Sequence, residues 1–321
     1  MILTLTPNPS IDRTIDLAEP LVRGAVHRVT AILDQAGGKG VNISRAAVAA
    51  GLPTVAVLPA APDDPFVHEL IAAGVHVQPE PPTGDVRVNL TVTEPDGTTT
   101  KLNTPGAVAT AASLAALEAG LLQHADDARW VVLAGSLPPG APVDWYADLV
   151  RALRRTSTHI ALDTSEGPLS AVVAALPDAA PDLMKPNAEE LASFTGGDTA
   201  RLEADPEAAA AAAATLVEKG VGAVLATLGG NGAVLVTAEG AWHAAAPPTN
   251  VVSTVGAGDS SLFGYLLGDV RGGSAPERLA LGVAYGSAAV GLAGTTVPNP
   301  SQTHPDLVSV RPLDLSPGGV A

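Results

Sequence analysis

Apolar runs rich in β-branched residues alternate with helix-patterned segments along most of the 321-residue chain, and this alternation narrows the fold more than any other feature. Residues 2–6, 55–58, 130–134, 160–163, 182–184, 224–227 and 233–237 read as strands. Segments 41–50, 64–73, 111–123, 143–154, 188–194 and 206–219 carry helical patterns. Strands without a polar face have to be covered on both sides. The pattern therefore implies an α/β fold with a central, mostly parallel sheet flanked by helices.

Two stretches break this rhythm. In "DVRVNLTVTEPDGTTTKLN", residues 85–103, Val86, Val88, Leu90 and Val92 fall on one face, and Arg87, Asn89, Thr91 and Thr93 on the other, with "EPDG" as the turn. That is the pattern of an antiparallel hairpin with one polar face. Joined by residues 26–34, it makes a small projecting sheet, a lid over a ligand or an interface; the alternative is a plain surface hairpin. The tail from Val297 onward, rich in Pro, Ser and Asp, reads as irregular or frayed.

Composition excludes several function classes. The chain has no cysteine, so disulfides, thiolate chemistry and Cys-based zinc sites are ruled out. A net charge of −16 opposes nucleic acid or an anionic membrane as partner, while leaving room for a small phosphorylated ligand. The histidines, His27, His68, His76, His124, His159, His243 and His304, show no metal-ligand spacing. No G-x-S-x-G elbow supports a hydrolase triad. The N-terminal "MILTLTPNPSIDRTID" lacks the basic region and long apolar core of a signal peptide. No run reaches the ~20 apolar residues of a membrane span, so the expectation is a cytoplasmic protein.

Chemistry-bearing motifs sit where strands end and helices begin. In "VVSTVGAGDSSLFGYLLG", residues 251–268, Gly256, Ala257 and Gly258 lead into a helical pattern whose first-turn amides suit an anion. Asp259 would repel that anion, so it is either a helix cap or a base beside a phosphate. In "AGGKGVNISRAAVAAG", Gly38 allows close backbone approach, and Lys39 and Asn42 offer charge and hydrogen bonds to a sugar or phosphate; the alternative is a plain glycine-rich turn. Gly40 follows Lys39, so the segment is not a Walker A loop, and Ser261 replaces the third glycine of a dinucleotide fingerprint. "TPNPSIDRT" bends toward Asp12, which can accept bonds from two sugar hydroxyls or cap a turn. "LAGSLPPG" sets Ser136 in a rigid turn. In "DLMKPNAEEL", Asn187 and Glu190 have capping-box spacing; the same pair could hold water around Mg²⁺ on a nucleotide, with Lys185 near a phosphate. In "ATLGGNGAVLV", Gly229 and Gly232 turn after Thr227, either under phosphates or adenosine or as a simple hairpin.

In order and together, "TPNPSID", "GGKGVNISRA", "TKLNTPG", "GSLPPG", "KPNAEEL", "TLGGNGA" and "VVSTVGAGDSSLFG" resemble the phosphofructokinase B family of ribokinase-like sugar kinases, over almost the whole chain. The resemblance implies one ribokinase-like domain over residues 1–321: a Rossmann-like sheet with a small β-lid from about residues 10–34 and 84–104. It also implies ATP-dependent phosphorylation of a sugar hydroxyl. Asp259 would be the base, and the amides of Gly256, Ala257 and Gly258 the anion hole. Nucleotide contacts would fall on Lys185, Asn187, Thr227, Gly229, Gly232 and Ser253, with Mg²⁺ held through water by Asn187 and Glu190. Sugar contacts would fall on Asp12, Gly38, Lys39, Asn42 and Ser136, with Arg87, Lys101 and Asn103 from the lid and Arg28 beside them.

Lys39, Arg87 and Lys101 place positive charge on the sugar side, which favours a phosphosugar. Lys39 in "GGKGVN" resembles the 1-phosphofructokinase and tagatose-6-phosphate kinase branches, and "TPNPSID" and "TKLNTPG" lean toward fructose 1-phosphate. Thr104 stands where many members of the first branch have Glu. Tagatose 6-phosphate and fructose 6-phosphate are the alternative acceptors. A sugar-phosphate sensor that keeps the fold without the reaction is the alternative of another class. The apolar side of the lid suggests a homodimer through lid sheets.

Overall fold

The computed structural model describes residues 1–315. Its strands are β1 (Ile2–Leu5), β2 (Ser10–Leu17), β3 (Val29–Gly37), β4 (Thr54–Pro59), β5 (His76–Glu80), β6 (Arg87–Thr93), β7 (Thr99–Leu102), β8 (Trp130–Ala134), β9 (His159–Asp163), β10 (Leu183–Met184), β11 (Ala223–Thr227), β12 (Ala233–Thr237), β13 (Gly240–Ala245) and β14 (Ser309–Leu313). Its α-helices are α1 (Lys39–Ala49), α2 (Pro65–Ala72), α3 (Ala111–Ala125), α4 (Trp145–Leu153), α5 (Glu166–Ala174), α6 (Ala188–Thr195), α7 (Thr199–Ala204), α8 (Pro206–Glu218), α9 (Ala257–Val270) and α10 (Ala275–Val290).

The main sheet runs β14-β13-β12-β11-β10-β9-β8-β1-β4-β5. From β5 through β11 every pairing is parallel, and the last three pairings, out to β14, are antiparallel. Alternation along the strands divides the core between two faces, as the period of two requires. Leu3, Leu5, Val131 and Leu133 pack under α3 to α8. Ile2, Trp130, Val132 and Ala134 pack under α1, α9 and α10. β1 lies between β4 and β8, so the chain leaves it in one direction through α1 and returns on its other side. Such a reversal opens a crevice at the carboxyl ends of the strands.

Helix starts follow local chemistry. Asp64 caps α2 by accepting from the Phe66 amide, with Pro65 next to it. Thr110 and Ser113 form a reciprocal capping box on α3. At the opposite end of the sheet from the crevice, buried Asp269 on α9 accepts from Arg129 and from the Trp130 indole, and pairs with Arg278 of α10 at 3.0 Å. It thereby fixes both helices to the start of β8.

The second sheet, β3-β2-β6-β7, comes from two separated segments of the chain. Its register puts Asp12 opposite Gln35 and Asn89, and Thr91 opposite Lys101, on one polar face. Ile15 stands opposite Ile32 and Val92, and Leu90 opposite Leu102, on the other. The Arg13–Asp34 ion pair interrupts this apolar face.

The tail is a correction to the sequence reading. Ser309–Leu313 is not frayed but completes the main sheet beside β13, with Leu313 buried and Arg311 paired to Glu207 at 2.8 Å. Residues 316–321 lie outside the described residues. Backbone pairing drives this outcome: an exposed edge on β13 offers unpaired amides and carbonyls that a chain terminus can satisfy.

α9 and α10 pack closely because glycines line their contact. A Cβ on Gly264 would stand 2.5 Å from the Leu281 carbonyl oxygen and 2.9 Å from the Gly282 Cα, both backbone atoms. We expect Gly264→Ala to destabilise the protein by about 1–3 kcal/mol. Gly230, with open space around it, should accept alanine without loss. Equal melting temperatures for the two variants would contradict this packing account.

Candidate active site

The carboxyl ends of β1, β9, β10 and β11 converge on the N-termini of α1 and α9. Gly38 precedes α1 with φ 115°, and a side chain there would strike Thr6. Glycine is therefore required for Lys39 to open the helix where it does. One turn on, Asn42, 5% exposed, donates through Nδ2 to Asp259 Oδ2 at 2.8 Å. The other amide atom, Asn42 Oδ1, is buried without a partner, as is the Thr6 hydroxyl.

Asp259 is 7% exposed and sits in the first turn of α9, after Gly256 in the left-handed region at φ 76°. Among the described residues the amides of Gly258 and Asp259 have no backbone acceptor, whereas Ala257 makes a long 3.4 Å bond to the Thr254 carbonyl. Two of the helix's orphan donors thus remain available to an anion. Burial raises the Asp259 pKa to about 6, the Asp163 charge adds to the rise, and Lys39, Asn42 and Lys185 oppose it.

Asp163, absent from the sequence-derived site, ends β9 and is fully buried. Its Oδ1 accepts from Lys39 Nζ at 2.7 Å, and Lys185 Nζ lies 3.3 Å from its Oδ2. Burial works against its charge, but Lys185 and Lys39 hold its pKa below the usual value. Burial likewise opposes the charge on Lys39, yet Asp163, Asp259 and Glu190 push that pKa above the ordinary lysine range. Lys185, 5% exposed, also reaches the helix turn: its ammonium is 3.3 Å from the point where a Cβ on Gly258 would stand.

Beyond the helix turn lies a cavity of about 490 Å³, walled by Thr227, Gly229 and Gly232 on one side and by Ala257, Gly258 and Ser261 on another. Gly232, at φ 87°, is pressed against the Ala244 carbonyl, which only glycine allows. Ser253 holds the approach to the glycine turn, accepting from the Val255 amide at 3.2 Å, and is not part of the cavity wall. Asn187 and Glu190 form a reciprocal capping box on α6, each side chain accepting from the other's amide.

On the lid, Asp12 accepts from Ser10 at 2.8 Å and from Asn89 at 3.2 Å. Arg87 donates to the Thr104 carbonyl at 2.9 Å, and its Nε is buried without an acceptor. Burial lowers the Arg87 pKa and Asp12 opposes that shift. Because the Arg87 contact uses Thr104 backbone, a threonine there leaves it intact. Arg28, Lys101, Asn103 and Ser136 are exposed, and their side chains make no hydrogen bond or ion pair among the described residues. Of the three cations expected on the sugar side, Lys39 is thus tethered to Asp163 and Arg87 to Thr104, while Lys101 has no partner among the described residues.

The raised pKa of Asp259 has a consequence for stability. Its folded value lies above the unfolded one, so the ionised group opposes folding; the penalty is absent below the unfolded value, grows as pH rises, and is complete above about 6. Asp259→Asn should therefore raise the melting temperature at about pH 8 by a few degrees, and by far less at about pH 4. An equal change at both pH values would contradict the buried, ionised state.

The sequence model of the pfkB family carbohydrate kinases matches residues 5–302. The 1-phosphofructokinase of Haloferax volcanii is 37% identical over 97% of this chain and 99% of its own. The crystal structure of phosphofructokinase-2 from Escherichia coli with substrates and products superposes with a TM-score of 0.85 at 30% identity, over 94% of this chain and 96% of that one. Arabidopsis thaliana ribokinase, 20% identical, shares the fold at a TM-score of 0.71 over 94% of this chain and 96% of its own. With a family match over nearly its whole length and the matching ribokinase-like architecture, the chain belongs to the pfkB family of carbohydrate kinases.

Proposed function

We propose that this kinase transfers the γ-phosphoryl group of ATP to a hydroxyl of fructose 1-phosphate, with Asp259 as general base, yielding fructose 1,6-bisphosphate and ADP. The observation that carries this reading is the position of Asp259. Its carboxylate is buried between Asn42 and the two lysines, on the same helix turn whose Gly258 lines the large cavity. The nucleotide occupies that cavity with its phosphates toward the free amides of α9. Asp259 takes the proton of the attacking hydroxyl as the new O–P bond forms and the bond to the ADP oxygen breaks. A carboxylate with a pKa near 6 is ionised at neutral pH yet basic enough to accept that proton. Lys185 and the helix amides face the phosphoryl group and stabilise its charge by position rather than by covalent chemistry.

Mg²⁺ fits the donor set only as a nucleotide-borne, hydrated ion. Among the described residues no group of three or more potential metal ligands exists. Asn187 and Glu190 spend one oxygen each on capping, which leaves Glu190 Oε1 for a bound water. Bound there with ATP, the ion would neutralise phosphate charge, with Asn187 and Glu190 holding its waters.

On the acceptor side, Asp12 and Asn42 present acceptors to sugar hydroxyls, and Lys39, Arg87 and Lys101 supply charge for the substrate's own phosphate. The name of the Haloferax volcanii relative supports fructose 1-phosphate, and the likeness to phosphofructokinase-2 makes fructose 6-phosphate the runner-up. The lid completes the site as one part of a single kinase domain. A second copy covers its apolar face, where Ile32 and Leu102 are 58% and 55% exposed.

Coupled ADP-release assays should give fructose 1-phosphate a kcat/KM at least about tenfold above fructose 6-phosphate and tagatose 6-phosphate, the discrimination one well-placed charged contact can supply. Preference for an unphosphorylated sugar would contradict the phosphosugar site. Asp259→Asn should lower kcat by about 10²–10⁴ while ATP affinity, by titration, stays within about threefold. Light scattering should find a dimer that Leu102→Glu converts to monomer; a monomeric wild type would remove the lid interface.

A further inference from the structure

We infer that Asp163 is a positioning residue for phosphoryl transfer, one carboxylate that holds the acceptor-side lysine and the nucleotide-side lysine in register across the reaction path. The inference rests on the reading of Asp259 as base. Asp163 acts on Asp259 through its charge and not through a hydrogen bond; its grip is on Lys39 at 2.7 Å and on Lys185 at 3.3 Å. Those lysines belong to different halves of the site. Lys39 opens α1, the helix that also carries Asn42 and through it aligns Asp259. Lys185 follows β10 and lies against Gly258, where the nucleotide cavity meets the α9 turn.

A structural ion pair looks different in the same molecule. Asp269, also buried, is gripped by two arginines and an indole, planar donors that lock helices together at the start of β8, away from the wall of the large cavity. Asp163 instead takes two lysines, compact charges on flexible stems, and its Oδ2 has no hydrogen bond of good geometry. Lysines are poor girders and good partners for phosphate. A fully buried carboxylate that spends its charge on two of them fixes where cations stand in the cleft.

Charge balance gives the arrangement a role in the reaction. Lys39 and Lys185 are offset by Asp163 and ionised Asp259, so the cluster is neutral before transfer. When Asp259 takes the hydroxyl proton, the cluster gains one net positive charge while the phosphoryl group crosses it. Around Asp259 the charged or polar groups are Asp163 at the end of β9, Lys39 and Asn42 on α1, and Lys185 after β10. Removing the Asp163 charge therefore leaves two cations facing Asp259, which makes its ionised form easier to reach.

The test compares purified Asp163→Asn and Asp163→Glu with wild type, reading kcat, both KM values, the pH dependence of kcat and the melting temperature. Asp163→Asn should lose on the order of 10- to 100-fold in kcat with KM for ATP changed less than about fivefold, the signature of misplaced rather than missing groups. Its acid limb should move to lower pH. Asp163→Glu keeps the charge and shifts its position, so it should retain the wild-type limb and still lose about tenfold or more in kcat. A wild-type kcat in Asp163→Glu overturns the inference even where Asp163→Asn fails to fold. A lowered melting temperature with unchanged kcat and limb in Asp163→Asn overturns it as well. Turnover that survives Asp259→Asn would overturn the base assignment beneath it; a limb present in wild type and unmoved in Asp163→Asn overturns the Asp163 inference alone.

Discussion

One buried hydrogen bond, from Asn42 to Asp259, joins residues 217 positions apart and sets the geometry on which the site depends. It forms because the parallel sheet delivers the N-termini of α1 and α9 to the same edge, and because glycines at positions 38 and 256 let the chain turn tightly into both helices. A carboxylate buried this deeply is costly, and the shift of its pKa to about 6 is the measure of that cost. Under the proposed function, the same burial keeps water from the carboxylate that accepts the proton. Elsewhere the molecule is conservative: Asp269 and its arginines, the capped helices and the glycine-lined contact of α9 with α10 hold the scaffold that imposes this placement.

The few lysines of the chain are unevenly placed. The protein carries a net charge of −16 and has only four lysines, Lys39, Lys101, Lys185 and Lys219. Two of them meet at Asp163, and a third stands on the polar face of the lid. Under the proposed function those lysines, although offset by Asp163 and Asp259, are the cations that a phosphorylated ligand meets in the cleft of an acidic protein.

Much of the fold was legible in the sequence because apolar periodicity is a local property. The interior strands from β1 to β12 and most helices follow it within a residue or two, and the hairpin of β6 and β7 follows its strict alternation. What escaped is what locality does not encode. β5 contains Pro79 and polar residues, and β14 is a polar tail that becomes a strand only because β13 presents an open edge. α5 begins Glu-Gly-Pro, and α10 is interrupted by glycines that serve its contact with α9, so neither shows a clean helical stripe. The site divides in the same way. Asp259, Lys39, Asn42 and Lys185 stood out because each follows a turn signal. Asp163 is the last residue of an apolar strand, and its partners, 124 and 22 positions away in sequence, reach it only through sheet order. Asn89, which orients Asp12, reads in sequence as one more polar residue of a hairpin.

In the proposed reaction a single buried carboxylate serves the acceptor hydroxyl while its own helix turn receives the phosphate. A crystal structure with fructose 1-phosphate and a non-hydrolysable ATP analogue tests it most directly. The acceptor hydroxyl should lie within hydrogen-bond distance of Asp259, and the γ-phosphorus over the Gly258 amide with Lys185 beside it. A hydroxyl directed instead at Asp12 or Asp163, or triphosphate bound away from the start of α9, would contradict it.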